Sequence, residues 1–131
     1  MTMTRRLILL AVTAIALTIP DLAQKAVVPQ YGHPRSFLYI AVATFVLGAI
    51  CAFVPRVPSA TLAVGGGVAA AGAAGNLVGA VLWRDGIPNP LVAGDIAFNL
   101  ADVYAVAGAA ALVVGAASFA LRNRHRLHEP I

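Results

Sequence analysis

The sequence predicts an all-α membrane protein, a four-transmembrane-helix bundle with both termini in the cytoplasm. Three observations predict it. The first is composition: of 131 residues, 60% are AVILMFWYC, only 11% are charged, and 12 more are Gly. Soluble domains are about 45–50% apolar with Gly included and about 25% charged. A soluble domain of this size buries only about two-thirds of its surface and could not hide so much apolar area. The second is that four stretches approach or exceed the roughly 20 apolar residues needed to cross a bilayer. The third is the placing of the basic residues, which sit at the ends of those stretches and are more numerous on one side. The length is enough for one domain, residues 1–131.

The spans follow in order. The first runs from about Leu7 to Leu22, behind Arg5 and Arg6. That layout also suits a secretory signal peptide, but no small-x-small cleavage site precedes Asp21, so the segment is taken as a retained span. The second runs from about Phe37 to Val54, the third from about Ala60 to Trp83, and the fourth from about Ile96 to Leu121. Between them lie Pro- and Gly-bearing breaks: residues 29–34, 55–58 and 84–90. Arg5, Arg6, Arg56, Arg122, Arg124 and Arg126 fall on one side, against Lys25, Arg35 and Arg84 on the other. The richer side is the cytoplasmic one, so the loops after spans one and three face outward.

Net charge is +4. A nucleic-acid partner is rejected, because the basic residues flank apolar runs instead of forming a basic face. The tail from Arg122 to Arg126 reads as a stop signal and an anchor to anionic lipid. Cys51 has no second cysteine to pair with and reads as a small packing residue. Trp83 and Tyr104 fit an interfacial aromatic belt. Gly72, Gly75 and Gly79 on span three, with Gly108, Ala111 and Gly115 on span four, predict close helix contacts through small residues, Ala111 and Gly115 keeping the smooth face of span four. They do not read as a nucleotide-binding loop, since no strand precedes them.

Three polar groups remain, all near the outward end. Asp21 and Lys25 are four apart and share a helix face, where they can pair. Asn76 lies in the outer half of span three and must find a hydrogen bond if buried. Asn99 and Asp102 are three apart on one face, and Asp95 joins them there if the helix extends back that far. An acid at membrane depth is expensive unless paired or used. Two carboxylates converging in a poorly solvated site can share a proton, the arrangement an aspartic peptidase needs. The other reading has Asp95 capping helix four and Asp102 pairing with Asn76 or Lys25.

These residues are similar to a known family. Phe98-Asn99-Leu100-Ala101-Asp102 resembles the FNxAD motif of signal peptidase II, the lipoprotein signal peptidase. Gly75-Asn76-Leu77 resembles the start of its GNxxDR motif, and Asp21 to Lys25 resembles its DxxxK. The three occur in the family's order and in its four-span layout. The resemblance implies an aspartic endopeptidase of the bacterial inner membrane that cleaves before the diacylglyceryl-modified cysteine of prolipoproteins. It implies Asp102 and Asp95 as the catalytic dyad, with Asn76, Asn99, Asp21 and Lys25 orienting or bracing the site. It also implies a lipidated prolipoprotein substrate and no cofactor. The chain departs from the family in three places, one being the short interval between Asp95 and Asp102, which trims the family's loop above the site. Gly79-Ala80 stands where the motif has Asp-Arg, and only about a dozen residues join spans one and two, without the family's outer segment. Arg84 and Asp85 follow within a turn or so.

These departures motivate an alternative: a catalytically inactive relative that binds lipopeptides or a membrane partner. A four-span transporter is disfavoured, because four of the five acids lie toward one membrane face and not at mid-depth. A metal enzyme is disfavoured too, since His33, His125 and His128 lie far in sequence from the acids.

Overall fold

A computed structural model describes residues 1–28 and 31–124. Four long helices dominate it: α1 (Met3–Val27), α2 (Phe37–Phe53), α3 (Ala60–Leu82) and α4 (Leu100–Arg122). All four are long and apolar enough to cross a membrane. A 3-10 turn, Val54–Arg56, links α2 to α3. Two short strands, β1 (Leu91–Ala93) and β2 (Ile96–Phe98), form an antiparallel hairpin before α4.

Each helix begins where a short polar side chain satisfies a free N–H. Thr2, Ser36, Ser59 and Asn99 accept from the backbone of Arg5, Tyr39, Leu62 and Asp102. Helix α1 continues through Pro20, one turn past the predicted end, and carries Asp21 and Lys25 on its last turns.

Span four needs correction. It starts at Leu100, not Ile96, because residues 96–98 pair with 91–93 across the Gly94-Asp95 turn. Gly94 has φ +61°, a left-handed conformation that glycine adopts at little cost. Two apolar triplets around Gly-Asp are a hairpin signal at two-residue spacing, and it was masked by the apolar run into α4. A capping box between Asn99 and Asp102 then fixes the start of the helix.

Helix α3 is the hub: α1, α2 and α4 all pack on it, and α2 and α4 scarcely on each other. Its buried face is Gly and Ala almost throughout. A Cβ on Gly72 would lie 2.5 Å from the backbone nitrogen of Ala105, and one on Gly108 would collide with Ala69. The α3–α4 contact is thus backbone against backbone. Gly72 and Gly75 lie on the predicted smooth face, while on α4 the closest approach is at Gly108 rather than Ala111. The outward faces remain apolar. Ile15, Phe45, Val106 and Val113 are each more than 60% exposed, which suits hydrocarbon and not water. Cys51 lies among these exposed positions, contrary to its expected packing role, because α2 buries only Ile50.

The two ends of the bundle differ. At the arginine-rich end, buried Arg6 donates Nε–H to the Pro55 carbonyl at 2.8 Å and an Nη1–H to the Met1 carbonyl. That ties α1 to the α2–α3 connection. At the opposite end, His33 and Ile87 exchange backbone hydrogen bonds of 3.2 and 3.1 Å, joining the loop before α2 to the loop after α3. This polar end holds every candidate site residue.

Candidate functional site

The site begins with an ion pair. Asp21 and Lys25 are both fully buried, with Lys25 Nζ donating to Asp21 Oδ2 at 2.7 Å. Burying two charges costs several kcal/mol per ion unless the remaining donors and acceptors are used. Here they are. Asp21 Oδ1 accepts the Ala101 N–H at 2.7 Å, one of the free donors at the start of α4. A carboxylate there also meets the positive end of the α4 dipole. Lys25 Nζ donates further to the Gly75 carbonyl at 3.1 Å and, at the long limit of 3.5 Å, to Asn76 Oδ1. Gly75 has to be small, because a Cβ would lie 2.5 Å from Asp21 Oδ2.

Asn76 carries the network onward. Its amide Nδ2–H donates to Asp102 Oδ1 at 2.8 Å, while its Oδ1 accepts from Asn99 Nδ2 at 3.4 Å. Asn99 does three things at once. Its Oδ1 caps α4 through the Asp102 N–H at 3.1 Å, its own N–H donates to Asp102 Oδ2 at 3.2 Å, and its Nδ2 donates to Asn89 Oδ1 at 2.7 Å. Asn76, Asn89 and Asn99 are all at most 3% exposed. The Asp102 side chain is 31% exposed, and Arg35 Nη2 lies 3.5 Å from its Oδ1. The chain of contacts thus runs from buried Asp21 and Lys25 through Asn76 to Asp102, then to Arg35 at the surface.

Five of the six predicted residues come together: Asp21, Lys25, Asn76, Asn99 and Asp102. The sixth, Asp95, does not join them. It is exposed at the hairpin tip. Three extended residues, 96–98, lie between it and Asn99, so four steps of about 3.3 Å put its Cα roughly 13 Å from that of Asn99. The shared helix face considered for Asp95 and Asp102 does not form, since α4 starts after both strands. Asp95 instead lines a cavity of about 550 Å³ with Tyr31, His33, Arg35 and Asn89. As for the other reading, Asn99 and not Asp95 caps α4, and Asp102 does pair with Asn76.

Two members of the site escaped the sequence. Asn89 sits in Pro88-Asn89-Pro90, which reads as turn punctuation. Arg35 reads as one more flanking charge. Neither has a periodic signal, because both reach the site from loops. Among the described residues no three His, Cys, Asp or Glu side chains gather to hold a metal. His125, His128 and Arg126 lie outside the described residues.

No family model, curated protein or solved structure matches this chain. The resemblance to signal peptidase II therefore stands on the motif residues alone.

Proposed function

We propose that this is a multi-pass protein of the bacterial cytoplasmic membrane, both termini inside and the polar end outward. In this reading it is an intramembrane aspartic endopeptidase resembling signal peptidase II, removing signal peptides from diacylglyceryl-modified prolipoproteins. The observation that supports it best is Asp102. It is a carboxylate reachable from solvent, oriented by Asn76 and the Asn99 backbone, and braced from α1 by a fully buried ion pair. Beside it a second cavity, of about 440 Å³, is lined by Phe98, Val103, Val106 and Ala107, so apolar substrate can lie next to the acid.

Asp102 and Asp95 then share one water. One carboxylate takes its proton while the other protonates the scissile carbonyl oxygen. The tetrahedral carbon collapses, the C–N bond breaks, the proton held by the first passes to the leaving amine, and one hydroxyl of the diol returns its proton to the second as the new carboxyl forms. No cofactor is required. For this the tip of the hairpin has to swing toward Asp102 about the hairpin's base, where it joins the bundle.

A second reading is favoured by a specific observation. Asp95 stands apart from the network, and the side chain facing Asn99 is the amide of Asn89, not an acid. A site with one solvent-reachable carboxylate and three amides suits binding of a lipopeptide or a membrane partner without cleavage.

Purified protein incubated with a diacylglyceryl-modified prolipoprotein separates the two. The peptidase predicts cleavage before the lipidated cysteine, falling about 10²–10⁴-fold in both Asp102→Asn and Asp95→Asn. Full activity in either variant excludes the dyad. Binding without cleavage by folded wild-type protein establishes the second reading.

A further inference from the structure

Arg35 is a cation of the polar end whose hydrogen-bonding capacity is left largely unused. It stands directly before Ser36, the N-cap of α2, where the helix dipole is already positive, and the first turn of α2 holds no acidic residue. A cation there calls for an anion. Asp102 answers only loosely. The Nη2–Oδ1 distance is 3.5 Å, and that oxygen already accepts from Asn76 at 2.8 Å. Arg35 Nε is shut off from solvent and has no hydrogen-bond partner. A guanidinium presents five N–H donors in one plane, and a single long contact is all that engages them. The plane is still held in place, with Cζ 5.0 Å from the centre of the Tyr39 ring.

The group lines one space and, through the Tyr39 ring beneath it, stands next to a second. One is the polar cavity of about 550 Å³, where Arg35 is the only Lys or Arg among the lining residues. The other begins at Tyr39 and runs down an apolar cleft of about 300 Å³ between α2 and α4, past Val42, Val46, Ile50 and Leu112. This cleft exists because α2 and α4 both pack on α3 and scarcely touch each other. A ligand that fits both spaces is apolar along its length and anionic at its outer end.

We infer that Arg35 anchors the C-terminal carboxylate of an apolar peptide lying in the α2–α4 cleft, as a released signal peptide presents it. The inference rests on the proposed function for its ligand class and for the outward direction of the polar end. The planar fork takes the carboxylate through two charge-assisted hydrogen bonds and gives up its long contact to Asp102 in exchange. A C-terminal amide offers one oxygen and no charge, so it binds more weakly. This makes Arg35 a product-binding and specificity-determining residue, distinct from the acids.

The test is binding, not turnover. Full-length protein in nanodiscs of zwitterionic lipid is titrated with a synthetic lipoprotein signal peptide ending just before the cysteine position, as free carboxylate or as amide. Wild type is expected to prefer the carboxylate about tenfold or more. Arg35→Gln brings the two forms within about twofold, and Arg35→Lys, which keeps the charge but not the fork, falls between. Equal binding of both forms by wild type, binding of neither, or a preference retained in Arg35→Gln overturns the inference. So does a preference abolished by anionic lipid in the nanodisc together with Arg35-dependent lipid binding, which assigns the group to a headgroup instead. The wild-type comparison needs no variant to fold. Failure to cleave intact prolipoprotein with the carboxylate preference intact overturns the peptidase reading alone.

Discussion

Asp21 and Lys25 show how much a pair of charges depends on its surroundings. Four apart on a helix, they were expected to pair, and an exposed pair of that kind contributes only about 0.3–0.5 kcal/mol. Full burial changes the energetics. Each charge now depends on the other, on Ala101 N–H and on the Gly75 carbonyl. Lys25→Met is expected to destabilise the protein by about 3–5 kcal/mol, because it leaves the Asp21 carboxylate buried and unpaired. Asp21→Asn combined with Lys25→Met recovers most of that loss. Unfolding of the single and double variants in detergent checks the coupling, and additive losses would exclude it. Asn76, Asn99 and Asp102 were recognisable as site residues because polar groups inside apolar runs stand out. Asn89 and Arg35 were not, because in loops such residues are ordinary.

At the scale of elements, helix limits followed from short polar caps and Pro-bearing breaks; spans two and three agree with the structure closely, while α1 runs four residues further at its start and five at its end than expected. The fourth shows the limit of reading by hydropathy. Leu91 to Phe98 is apolar enough to join the helix behind it, yet the Gly94-Asp95 turn folds it into a hairpin. The small-residue face of α3 was legible from its glycines. Its partner position on α4 was not, since several Gly and Ala there could serve. The contact is tight enough to test. Gly72→Val puts a branched side chain against the Ala101 and Ala105 backbone. It should cost about 1–3 kcal/mol or more and, by moving α4, displace Asp102. The expected result is lowered thermal stability and weakened activity or binding together. Unchanged stability would mean that α3 and α4 are not in backbone contact.

At the scale of the whole molecule, the two ends of the bundle have different roles. Arg6 and Pro55 fasten the arginine-rich end, and the opposite end gathers the polar network. The proposed orientation rests on the basic residues, six at one end of the apolar runs against three at the other. With Cys51→Ser as background, a single cysteine at Asp85 is expected to react with an impermeant maleimide added to intact spheroplasts. One at Arg56 should react only after lysis. The reverse pattern would place the polar end in the cytoplasm and remove the proposed contact with exported precursors. Amino-acid sequence by itself determined the number of helices long and apolar enough to cross a membrane, their order and the identity of five polar residues at one end. It could do so because bilayer crossing is a matter of length and hydropathy, and because a polar residue in an apolar run is conspicuous. Only the tertiary structure decided which polar atoms meet. It brought Asn89 and Arg35 in from loops, buried Asp21 and Lys25 completely, and set Asp95 apart on the hairpin. Those outcomes depend on how closely helices approach and where a turn reverses the chain, and neither is encoded in the periodicity of any single segment.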